Sequence, residues 1–141
     1  MNDVKVDNER VNGGTFAAFD SETFTLLLRS DRNRADVAKA MKEAWKGCFS
    51  TRSHLHPYRH EIGHALWEYL IKVDSAFKER MTKAYKAYFE NYKKGRLFLS
   101  WRACKDPEEA FAEAVAELMN GNPRNVAKMI LDKSEKSNYD F

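Results

Sequence analysis

Residues 58–67 read Tyr58-Arg59-His60-Glu61-Ile62-Gly63-His64-Ala65-Leu66-Trp67, and three of them could do chemistry together. On a helix, His60 and His64 stand one turn apart on one face, so both imidazoles can reach a single metal ion. Glu61, next to the first histidine, can hold a metal-bound water and take its proton. The spacing His-Glu-x-x-His therefore points to metal-assisted hydrolysis. All four histidines of the chain fall between positions 54 and 64, next to this motif.

Such chemistry needs a helix under the motif and a further ligand. Pro57 suits the first position of a helix. Ile62, Leu66, Tyr69, Leu70 and Val73 recur at helical spacing and predict an apolar face on an amphipathic helix of about four turns. A catalytic zinc takes three protein ligands and leaves one position open. A third histidine six residues beyond His64 is excluded, because Leu70 stands there and Trp67 replaces the accompanying glycine. His54 and His56 lie only just before the helix, and no histidine follows His64. The third ligand must come from farther along.

The best source is Glu109-Ala110-Phe111-Ala112-Glu113-Ala114-Val115-Ala116-Glu117-Leu118. Glu109, Glu113 and Glu117 repeat every four residues and form one stripe. Ala110, Ala112 and Ala116 flank it, with Phe111, Val115 and Leu118 opposite. Two simpler roles compete: Glu109 could complete a capping box with Asp106, and Glu113 and Glu117 could be surface acids. Neither explains the alanines, which let another backbone come close. A metal-facing stripe does. On the residues alone, the choice between Glu109 and Glu113 as ligand stays open.

Around these two helices the chain reads as follows. Residues 1–10 are a loose end or a short edge strand around Val4 and Val6, and Asn12-Gly13-Gly14 is a turn. Thr15–Phe19 and Thr23–Arg29, separated by Asp20-Ser21-Glu22, predict a β-hairpin. Asp31-Arg32-Asn33 opens a helix to about Lys46, stopped by Gly47. Asp74 or Ser75 caps a helix to Lys94, ended by Gly95, with a core stripe of Phe77, Met81, Ala84, Tyr85, Tyr88, Phe89 and Tyr92. Leu97–Leu99 is a short strand or a buried loop. Asp106-Pro107 starts the glutamate helix, which runs to about Asn120, and Pro123 opens a last helix to about Asp132. Residues 134–141 look frayed.

At 141 residues the chain makes one domain, with room for its own core. A net charge of +3 does not point to nucleic acid. No apolar run reaches the length of a membrane span, and the N-terminus lacks a signal-peptide pattern, so the compartment stays open. Cys48 and Cys104 have no zinc-finger spacing and are expected as free, buried thiols.

Taken together, His60-Glu61-Ile62-Gly63-His64 and Glu109-Ala110-Phe111-Ala112-Glu113-Ala114 resemble the anthrax lethal-factor type of zinc protease. That group includes toxin catalytic domains and metallopeptidase domains attached to phage minor head proteins and polymorphic toxins. The likeness runs from about Gly14 to about Met129 and implies a compact, mostly helical α+β zincin with a small antiparallel β element near the N-terminus. It further implies a zinc ion held by His60, His64 and Glu109, Glu113 as a supporting residue, Glu61 as general base, and a protein or peptide substrate paired with the edge of the 15–29 hairpin. The chain could be one piece of a larger multidomain protein. The family's tyrosine ahead of the glutamate helix is missing. Arg102 stands in its place and could stabilise an oxyanion as a cation, or Trp101 through its indole N–H. Repressor-cleaving zinc proteases of the ImmA/IrrE type share the motif with a shorter spacer. A degenerate, zinc-stabilised interaction module is the non-enzymatic alternative.

Overall fold

The computed structural model describes residues 3–8, 16–29, 33–44, 46–93 and 99–134. Among them, three strands precede five α-helices, giving the expected α+β, mostly helical architecture. β1 is Asp3–Val6, β2 Ala17–Asp20 and β3 Thr25–Leu28, in the order β1-β3-β2. β2 and β3 form the predicted antiparallel hairpin, with Ala17 opposite Leu28 and Asp20 opposite Thr25. Asp20 turns it by accepting from the Glu22 backbone N–H at 3.0 Å. The predicted edge strand around Val4 and Val6 pairs parallel to β3, so the sheet is mixed rather than purely antiparallel. β3 is thereby central, and Thr25, Leu26 and Leu27 are all buried. That explains the unbroken Leu26-Leu27-Leu28 run, because a strand covered on both faces needs no polar alternation.

α1 (Arg34–Glu43) starts at a capping box between Asn33 and Asp36. It ends three residues before the predicted Lys46, since Ala44 is already extended at ψ 137°. Gly47, at φ 83°, turns the following loop rather than the helix end. α2 (His56–Val73) carries the motif, α3 (Phe77–Lys93) the aromatic stripe, α4 (Pro107–Met119) the glutamates, and α5 (Asn125–Ser134) follows. A 3₁₀ turn at Arg102–Cys104, absent from the sequence reading, leads into α4. Leu99 is buried in irregular chain, while Trp45, Leu97, Phe98, Gly95 and the tail after Ser134 lie outside the described residues. Cys48 and Cys104 are free, and both are only partly buried.

The core collects Trp67, Phe77, Met81, Ala84, Tyr88, Phe111, Val115 and Ile130. Trp67, Phe77 and Phe111 meet edge-on or tilted at 5.2–5.9 Å between ring centres. α4 is enclosed: every residue from Glu109 to Glu117 is buried. The alanines of α4 admit α2, whose Gly63 lies so close that a Cβ there would come 2.6 Å from the Ala112 Cα.

One sequence expectation reverses. Leu66, Tyr69 and Val73 are 39, 52 and 59% exposed, so three of the five residues of the predicted apolar face turn to solvent, while Ile62 is half-buried and Leu70 packs against the core. α2 instead buries His56, His60, Gly63 and Trp67. Those positions are spaced 4, 3 and 4 apart and make one helix face. Apolar periodicity marks where apolar residues lie. It misses a face that buries imidazoles because its partner helix supplies carboxylates.

Gly63→Ala tests this packing. Alanine gains roughly 0.5–1 kcal/mol of intrinsic helix preference, but the clash is with backbone, which cannot swing aside, and overpacking costs about 1–3 kcal/mol. We expect net destabilisation of about 1–2 kcal/mol by urea unfolding. A more stable variant would contradict the close approach.

Candidate metal centre

α2 and α4 run antiparallel and bring two ladders together. His56, His60 and His64 step along α2 every four residues; Glu109, Glu113 and Glu117 do the same along α4. His56 and His60 reach Glu113, while His60 and His64 reach Glu109.

Each end of the site has its own hydrogen bonds. Glu113 is wholly buried. Its Oε1 accepts from the Ser50 backbone N–H and the Ser100 hydroxyl, both at 2.8 Å. Its Oε2 lies 2.8 Å from His56 Nε2 and 2.7 Å from His60 Nδ1. The other edge of His60 faces the second ring: His60 Nε2 is 3.1 Å from His64 Nε2 and 2.8 Å from Glu109 Oε2. His64 Nε2 is 3.5 Å from Glu109 Oε1, and His64 Nδ1 is 2.5 Å from Glu108 Oε2. Both histidines thus place Nδ1 on a carboxylate and Nε2 toward one shared point. Glu61 joins them, its carboxylate oxygen and the ring nitrogens of His60 and His64 lying within 4.8 Å of one another.

Asp106 accepts from the Glu109 backbone N–H at 2.8 Å, so the N-cap foreseen there exists. The Glu109 side chain nevertheless turns to the histidines, and Arg102 Nε lies 3.3 Å from its Oε2. Glu113 and Glu117, which could have been surface acids, are 0 and 4% exposed. Glu117 stands outside the histidine cluster, held by Arg124 through its backbone N–H at 2.8 Å and its Nε at 2.7 Å.

The charges couple accordingly. Burial disfavours protonated His60, yet its bonds to Glu109 and Glu113 outweigh that and raise its pKa to about 9. His64 rises to about 10 against the same burial, through Glu108 and Glu109. Burial works to raise Glu113, but His56 and His60 bring it down to about 2, and the histidines lower Glu109 too. Glu61 is pushed up, mainly by burial.

Chemically, the buried His56–His60–Glu113 group could hold a metal ion, as could His60–Glu61–His64. His60, Glu61, His64, Glu109, Glu113 and Arg102, all named from sequence, gather here. The sequence reading missed His56 as a partner of Glu113, although it stands four before His60. It also missed Glu108, adjacent to Glu109, and the donors Ser50, Thr51 and Ser100, which carry no local signal. No family model, curated protein or solved structure matches the chain.

In chelator, these couplings give stability a defined pH window. The raised histidines contribute fully below the ordinary 6.5 and lose that contribution as pH rises through about 9 to 10. Depressed Glu113 contributes fully above 4.5 and loses it as pH falls through about 2. The metal-free melting temperature should be flat between about pH 4.5 and 6.5 and fall toward pH 10. A rise from pH 7 to 10 would contradict the ion-pair arrangement.

Proposed function

We propose that this chain is a zinc-dependent metalloprotease whose ion is held by His60, His64 and Glu109. The observation that carries the reading is the convergence of two Nε2 atoms and the Glu109 carboxylate at 2.8–3.5 Å, with both Nδ1 atoms anchored on other carboxylates. Ligands at zinc distances of 2.0–2.1 Å in a tetrahedron are separated by about 3.3 Å, so the two ring nitrogens and the Glu109 carboxylate, which faces one ring with each oxygen, suit one small cation. Two protonated rings facing at 3.1 Å would leave at least one N–H aimed at another, whereas two lone pairs aimed at one cation have no such conflict. Exchange of two histidine protons for one divalent ion also conserves charge.

The alternative position, on Glu113, is less suited. Four donors already occupy the roughly four lone-pair sites of that carboxylate. Glu113 and Glu108 then act by orienting His60 and His64, as carboxylates behind metal-bound histidines do.

When bound, zinc supplies Lewis-acid polarisation of a carbonyl and acidification of water. The chain's own groups do the rest. Glu61, whose pKa burial raises against the pull of the two histidines, takes a proton from the attacking water and returns it to the leaving amine. Arg102 lines the same cavity as His60 and Glu61 and offers a cation to a developing oxyanion. An extended peptide is expected along β2, the hairpin strand at the edge of the sheet, since β3 is paired on both sides in the order β1-β3-β2 among the described residues. Cavities of about 350 and 290 Å³ lie beside that strand, and Glu61 lines both. The motif resemblance to lethal-factor-type proteases, toxin- or phage-associated, supports the same reaction.

Purified protein should contain about one zinc per chain. Glu61→Gln should keep it while slowing hydrolysis of an unfolded protein by roughly 10²–10⁴-fold. Full zinc without any Glu61-dependent cleavage would make the chain a zinc-stabilised module instead. Between the glutamates, Glu109→Ala should strip most of the metal affinity, and Glu113→Ala should cost on the order of 10–100-fold. The reverse order would move the ligand by one helical turn.

A further inference from the structure

His56 stands one turn ahead of His60 and is 1% exposed, with the Phe49 ring packed on it at 5.2 Å. Both of its ring nitrogens are engaged: Nε2 lies 2.8 Å from Glu113 Oε2, and Nδ1 lies 2.9 Å from Thr51 Oγ1. An ionised carboxylate only accepts, so Nε2 carries the proton and the Thr51 hydroxyl completes Nδ1. The same Glu113 oxygen receives the Nδ1–H of His60 at 2.7 Å. One buried oxygen atom is therefore shared by two imidazoles of the same helix.

We propose that His56 is a positioning residue of the metal centre: it holds Glu113 Oε2 where His60 Nδ1–H must point, and Thr51 steadies the His56 ring from its other nitrogen. The proposal rests on the reading that the ion sits on the Nε2 side of His60. Ser50 and Ser100 hold only Oε1. Without His56, Oε2 keeps His60 as its one donor among these contacts, in a place shut off from water. The carboxylate can then rotate, and the His60 ring with it. A ring free to tilt directs its Nε2 lone pair less well at the point it shares with His64 and Glu109. The effect reaches the ion through two hydrogen bonds and no direct contact.

The test measures cobalt(II) affinity, by competition with a chromophoric chelator, and the cobalt visible spectrum. It uses the full chain as wild type, His56→Leu, His56→Gln and Thr51→Val. Leucine fills the site without a donor; the glutamine amide nitrogen reaches about where Nε2 lies and carries one. His56→Leu should lose on the order of 10–100-fold in affinity, as other residues behind metal ligands do, with a shifted spectrum. His56→Gln should recover most of both, and Thr51→Val should lose several-fold, on the order of a weakened orienting bond. If His56→Leu does not fold, the other two variants decide.

Unchanged affinity in folded His56→Leu, or in Thr51→Val with His56→Gln also unchanged, would overturn the proposal. So would abolition of binding by both His56 variants, which would make His56 a ligand. Wild-type protein that binds no cobalt would instead remove the metal reading itself, and the positioning role with it.

Discussion

The structure is organised around one buried carboxylate. Glu113 has no solvent exposure and receives hydrogen bonds from the loop after α1, from two turns of α2 and from the segment before α4. A charge in such a place is costly unless paired and fully hydrogen-bonded. Those donors come from three segments of the chain outside α4, so satisfying Glu113 fixes how the segments meet. Ser50 ties the loop to α4 a second time, donating its hydroxyl to the Glu113 carbonyl at 2.8 Å. Arg124 reinforces the same junction by donating to the carbonyls of Ser50 and Leu99.

From that anchor the ladders of α2 and α4 follow. Small residues set the helix separation, with Gly63 against Ala112, and the separation lets imidazole and carboxylate face each other at hydrogen-bonding distance. Glu117 shows the cost of the stripe running past the histidines: it needs Arg124 as a partner of its own. At the other end, Glu109 and Glu108 meet His60 and His64 where two cavities open beside β2. The same ladder is thus structural at one end and accessible to chemistry at the other.

Much of this was legible in the residues. The motif helix, the glutamate helix, the hairpin and the close α2–α4 approach follow from spacing, caps and alanines. What failed did so for physical reasons. The buried side of α2 is polar, and a search for apolar periodicity therefore chose Leu66, Tyr69 and Val73, which face outward. His56 reads from sequence as a residue ahead of the helix, yet it is the first residue of α2 and a rung of the ladder. Ser50 and Ser100 act through hydrogen bonds to Glu113 on another element, and Thr51 through one to His56, which no local pattern announces. The pairing of β1 with β3 is likewise a long-range contact, invisible in the four exposed residues of Asp3–Val6.

The proposed ion lies on the Nε2 side of His60, between the ladders' open ends. Anomalous diffraction at the zinc absorption edge, from crystals grown with zinc, tests it most directly. One peak is expected, about 2.0–2.1 Å from Nε2 of both His60 and His64 and about 2.0–2.2 Å from a Glu109 oxygen. A peak between His56, His60 Nδ1 and Glu113, or no peak in protein saturated with zinc, would contradict it.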